Sequence, residues 1–259
     1  MFGLFGVAMS AASIVGGLGI GTLVDRLGYP TMFIVVAGCY LLVPTTLMLL
    51  PRVPVEPAAP PPGRESSAPL APRIGRAAIV FLVALFVAFT ANGAGQLGRS
   101  LLMNAREFSA ASITSTSVVG ALVTLPAPFV LGWLSDRVGR RPILIACTAC
   151  GAGSLVLLIA SRALWHFWIV GMLLALLGVS VSIGPAFIAD LVPPARVSAA
   201  MSLLQASYFL GSVAGMSALV PVARAIGMPW TLAAAAAVTA CGIVLLLFVR
   251  RPAAAVTPR

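Results

Sequence analysis

Six acids, one histidine and four cysteines are the whole stock of residues in this 259-residue chain that could ligate a metal or act as acid, base or thiol nucleophile. They do not gather. Asp25, Asp136 and Asp190 stand at the ends of apolar runs, and Glu56, Glu65 and Glu107 lie in the stretches between them. Cys147 and Cys150 form a C-x-x-C inside an apolar run with no second pair, so they read as small packing residues. His166 sits beside Trp165 near Trp168 and reads as an interfacial residue. No nucleophile has a base at a useful spacing and no phosphate loop occurs. The pattern predicts no enzyme, no metal and no cofactor. One constellation has a spacing of its own: Gly132-Trp-Leu-Ser-Asp136-Arg137-Val-Gly139-Arg140-Arg141, followed by Pro142. It is a chemistry of charge and turn geometry, suited to anchoring a loop.

The elements that must position this loop are set by composition. Apolar residues make up 60% of the chain, charged residues 8%, and the mean hydropathy is +1.09. Soluble domains carry about 25% charged residues, so this chain could not cover a soluble surface. Charge and turn signals divide it into eight apolar segments at 2–23, 31–51, 77–98, 112–134, 142–161, 164–189, 198–222 and 229–249. Each is near the ~20 residues that cross the hydrocarbon at ~1.5 Å per residue. In lipid the backbone must satisfy itself, which predicts helices, and the alternation of a membrane barrel is missing. The expected fold is an all-α, polytopic membrane protein of eight transmembrane helices, with the bilayer as its solvent. Residues 52–76, PRVPVEPAAPPPGRESSAPLAPRIGR with its edges, are Pro-rich and read as a solvated linker. The organisation is 1–51, a linker at 52–76, a six-helix unit at 77–251 and a tail at 252–259.

The net charge is +10, and every cation is Arg. A pI near 11.2 would suggest nucleic acid in a soluble protein, but these arginines punctuate apolar runs and read as topogenic. Arg52, Arg64, Arg73, Arg76, Arg137, Arg140, Arg141, Arg196, Arg250, Arg251 and Arg259 fall on one side. Arg26, Arg99, Arg106, Arg162 and Arg224 fall on the other. The richer side is assigned to the cytoplasm, which places both termini there, in the cell membrane. Residues 13–30 and 212–229 repeat at an offset of 199: Ser13, Gly16, Gly28 and Pro30 recur as Ser212, Gly215, Gly227 and Pro229. Repeats at this scale are what transporter folds contain.

Residues 132–141 resemble the signature loop of the major facilitator superfamily, G-x-x-x-D-R-x-G-R-R, which joins two helices of a six-helix half at the cytoplasmic face. The resemblance implies that Gly132 lets helices approach, that Asp136 pairs with an Arg or faces a helix N-terminus, and that Gly139 makes the turn. Arg137, Arg140 and Arg141 would anchor the loop. A weaker copy, Gly21-Thr-Leu-Val-Asp25-Arg26-Leu-Gly28-Tyr-Pro30, lies three helices away, so parity puts it on the opposite face. By resemblance, 2–51 are helices five and six, 52–76 the central loop and 77–251 helices seven to twelve of a twelve-helix carrier. The first four helices are not in the sequence: a fragment, a shifted start and a truncated paralogue all fit. The function implied is alternating-access transport of a small solute. A non-transporting truncated protein, or the partner of a separate chain carrying the other helices, is the second reading. Polar residues on the lining helices are the candidate substrate pathway: Asn92 and Gln96 on one face of 77–98, Thr124, and Gln205 with Tyr208 on 198–222. Packing through hydrogen bonds between helices, or of Thr to its own backbone, would account for the same residues. Nothing in the composition points to a substrate.

Overall fold

The computed structural model describes residues 14–16, 19, 23–26, 28, 30–42, 44 and 75–249. Of the expected linker at 52–76 only Gly75 and Arg76 are described, and Arg76 opens the next helix; the tail at 252–259 and parts of the first two predicted segments lie outside the described residues. The described residues hold helices α1 (Pro30–Leu42), α2 (Arg76–Asn104), α3 (Ala110–Thr124), α4 (Ala127–Val138), α5 (Arg140–Ala160), α6 (Leu164–Leu191), α7 (Val197–Ile226) and α8 (Met228–Phe248). A single 3-10 turn, Pro194–Arg196, precedes α7, and there is no strand among the described residues.

Five of these helices are long and apolar enough to cross a membrane unaided, and α3 and α4, which meet at a 43° bend, bring the count to six where the pair is taken as one span. The segment expected as one helix over 112–134 is therefore a broken pair. Pro126 explains the break: it has no N–H to give and its ring crowds the preceding turn. Pro185 and Pro221, by contrast, lie inside continuous α6 and α7. All five spans and the bent pair fall within residues 76–248.

Packing follows from small residues. Helix α2 is the hub, lying along α7 and α8, while α5 packs on α6 and α8, and α3 on α6. A Cβ at Gly93 would overlap the Ser212 carbonyl, and one at Gly211 or Gly215 would overlap the carbonyl of Phe86 or Thr90. The α2–α7 seam is thus backbone against backbone, the way helices associate where lipid offers no hydrophobic driving force. Two apolar clusters fill the interior. One, around Phe81, Leu85, Leu144, Phe187, Leu204 and Leu246, holds the end at which α2 begins. The other, around Met103, Leu158, Phe167, Leu219 and Leu232, holds the opposite end. Buried hydroxyls between them bond within their own helices: Thr148 to the Leu144 carbonyl at 2.8 Å, Ser154 to Gly151 at 2.6 Å, Ser180 to Leu177 at 2.6 Å and Thr239 to Ala235 at 2.8 Å.

The sequence repeat has a conformational counterpart. Gly28, Gly139 and Gly227 adopt φ of 78°, 103° and 87°, the region that favours glycine. Each stands two or three residues before the proline (Pro30, Pro142 or Pro229) in the opening turn of the next helix.

Candidate functional site

The signature loop is tighter than its spacing suggests. Gly139 is at once the C-cap of α4 and the N-cap of α5, with φ 103° and ψ 150°. Arg140 and Arg141 therefore sit in the first turn of α5, not in a loop. They reach across to two other helix ends. Arg140 Nη1 donates to the Ala186 carbonyl and to Asp190 Oδ2, both at 2.7 Å. Arg141 Nε donates to the Leu246 carbonyl at 2.9 Å, and its Nη2 to that of Leu247. Both contacts put a cation on the carbonyl-rich C-terminus of a helix, where the macrodipole favours it. Arg137 lies over the Trp133 ring, 4.0 Å from its centroid.

Asp136 has a lesser place than the resemblance implies. Its nearest cation is Arg140 at 3.9 Å, and it is 72% exposed; the strong partner of Arg140 is Asp190. Asp190 lies 50 residues from Arg140, and no local spacing could have announced the pair. Gly132, expected to permit close helix approach, has nothing described within 4 Å of where a Cβ would stand.

At the opposite end of the α3–α4 span from Asp136, the weaker Asp-Arg copy makes a contact of its own. The Asp25 carboxylate accepts from the backbone N–H groups of Ala110 at 3.0 Å and Ala111 at 2.8 Å. The Asp25 contact is thus at the N-terminus of α3, and Asp136 stands near the C-terminus of α4.

The pathway candidates separate. Helix α2 runs on to Asn104, so Arg99, expected at a membrane edge, lies inside it. Arg99 is 4% exposed and donates from Nη2 to Gln96 Oε1 at 2.9 Å and to Ser117 Oγ of α3 at 3.0 Å. Its Nε has no partner among the described residues, and neither of these bonds goes to a carboxylate. Gly171 lets α6 close over this site, since a Cβ there would stand 3.1 Å from Arg99 Nη1. Asn92, one turn below Gln96, donates to Ser212 Oγ of α7 at 3.4 Å. Asn92, Gln96 and Arg99 form a polar line on α2 facing α3 and α7. Arg99 is the member that sequence reasoning missed, although its i,i+3 spacing from Gln96 was a signal once the helix is known to extend past 98.

Gln205 and Tyr208, expected to share a face, differ in burial. Gln205 is exposed, while Tyr208 is 3% exposed and sits in the core with its ring 4.5 Å from that of Phe89. The Tyr208 hydroxyl donates to the Ser180 carbonyl at 3.1 Å, over Gly184, where a Cβ would overlap it. Tyr208 braces α7 on α6. Thr124 bonds the Ala121 carbonyl of its own helix at 2.9 Å. His166 Nδ1 accepts from the Ala163 N–H at 3.2 Å, at the start of α6. The four cysteines are free thiols, and no group of three metal-ligating side chains exists among the described residues.

Five apolar spans, a bent sixth pair and close packing through small residues around an internal polar line define a multi-pass membrane protein. A profile of the Major Facilitator Superfamily matches residues 80–259. The chain belongs to that superfamily. It is also 28% identical over 124 residues to the class D tetracycline resistance protein of Salmonella ordonez, a match covering 48% of this chain and 31% of that protein. The shared stretch is under a third of that relative's length.

Proposed function

We propose that this chain forms part of a carrier that moves a small solute by alternating access, with the solute passing along the polar line of α2. The observation that carries the reading is Arg99, an ionisable side chain enclosed within apolar spans. A charge at membrane depth costs about 2.5–3.5 kcal/mol by insertion scales, and residues that bear such a cost serve the transported species or its coupling. Gln96 and Asn92 extend the same face towards the middle of the membrane. The Asp136–Arg141 turn lies at the cytoplasmic face, where the excess of arginine belongs, and 52–76 is a cytoplasmic linker. Residues 14–44 belong to the other half of the carrier, whose remaining helices complete the pathway.

The test is flux through the native gene product reconstituted in proteoliposomes. A tetracycline is the first probe, on the strength of the similar resistance protein, followed by a panel of sugars, amino acids and carboxylates. Arg99→Gln should lower flux at least about tenfold, the effect of losing ~1.4 kcal/mol from a functional contact, with insertion and monodispersity unchanged. Wild-type flux through a well-folded Arg99→Gln protein would contradict the pathway. Absence of flux of every probe through the wild type would favour the non-transporting reading.

A further inference from the structure

Asp25 carries a contact that no part of the reading above uses. The first N–H groups of any helix have no partner inside it. In α3, the N-cap Ser109 fills the Ser112 N–H through its Oγ at 3.2 Å. Those of Ala110 and Ala111 are filled from outside the helix by the two carboxylate oxygens of Asp25, at 3.0 and 2.8 Å. The donor positions lie 85 and 86 residues away in sequence. An ionised carboxylate on a helix N-terminus gains both charge-assisted hydrogen bonds and the macrodipole. A second observation marks the same place as a seat. Val24 is the only buried residue among those described before residue 75, at 9% exposure, while Phe33, Ile34, Tyr40 and Leu41 of α1 are each more than 60% exposed. The helix that Asp25 grips, α3, is set off from α4 by the 43° break at Pro126.

We infer that Asp25 docking on the N-terminus of α3 is a latch that holds the two halves of the carrier together at the outer face, so that opening to the outside requires its release. The inference rests on the family reading in placing residues 14–44 and 75–249 in different halves. It assigns Asp25 and Asp136 to opposite faces and to different work. Release costs two hydrogen bonds made by one side chain and the burial of Val24, a small contact that suits a gate that must open and close repeatedly. The arrangement in which Asp25 holds the first two N–H groups of α3 is the latched one.

The test is a distance measurement on the native gene product with Cys39, Cys147, Cys150 and Cys241 replaced and spin labels at Arg26→Cys and Ala105→Cys, both exposed positions at the outer end. In the parent, a short distance should dominate. Asp25→Ala should raise the long-distance population roughly fivefold, the loss expected for removing a helix-capping side chain, and Asp25→Asn should raise it by less, since one acceptor oxygen remains. Asp25→Glu should restore part of the short distance. Identical distributions in the parent, Asp25→Asn and Asp25→Ala would overturn the latch. The measurement reads docking and not flux, so failure of the latch leaves the carrier reading standing. Loss of flux in the wild type alongside an Asp25-dependent distance would sink the carrier reading instead.

Discussion

The chain carries the same short string twice, Asp-Arg-Leu-Gly at 25–28 and Asp-Arg-Val-Gly at 136–139, and uses it in two ways. At the first, the acid does the binding: Asp25 holds two backbone N–H groups of α3. At the second, the following arginines do it: Arg140 and Arg141 hold the C-terminal carbonyls of α6 and α8, and Asp136 points largely to solvent. The difference is one of helix polarity. A helix N-terminus offers donors to a carboxylate, a C-terminus offers carbonyls to a guanidinium, and each loop lies beside the end that suits one of its charges. What the two share is the glycine, left-handed in both at φ 78° and 103°. The turn is thus the common device, and the electrostatics around it are local.

The sharpest way to break the second loop is through that turn. Gly139→Ala places a side chain at φ 103° and ψ 150°, which should cost about 1–3 kcal/mol and lower the apparent Tm in detergent. An unchanged Tm would mean that α4 and α5 meet by some other geometry. Next in size is Arg140→Ala, which strips the Ala186 carbonyl and Asp190 of their cation. Because the pair is a quarter to a third exposed, the expected loss is about 1 kcal/mol. The coupling to Asp190→Asn in a double-mutant cycle should recover most of it; additive effects would show that the pair does not hold the loop. Smallest is Asp136→Asn, worth under about 0.5 kcal/mol in stability for a side chain this exposed. If Asp136 acts on the conformational cycle, the same variant should still lower flux, and wild-type flux would remove it from the mechanism.

Much of the fold was legible because lipid leaves few choices. A charge-poor run must become a helix, and the Gly-Pro turns punctuate the runs where they were expected. Less legible were features that depend on where a helix stops or on what it meets. Arg99 was placed at an edge because the apolar run fades near 98, but α2 continues to Asn104 on the strength of its packing. Tyr208 had the right spacing for a pathway residue, yet it is enclosed because Gly184 on a neighbouring helix makes room for it. The Arg140–Asp190 pair and the Asp25 contact join residues 50 and 85 apart, and only the folded chain brings them together.

The proposed placement of the two loops at opposite membrane faces is tested directly by sided labelling. In intact cells expressing the native gene product with its own cysteines replaced, an impermeant thiol reagent should modify a cysteine at Arg26→Cys from outside. It should modify one at Arg137→Cys only after permeabilisation. Labelling of both positions from the same side would contradict the account.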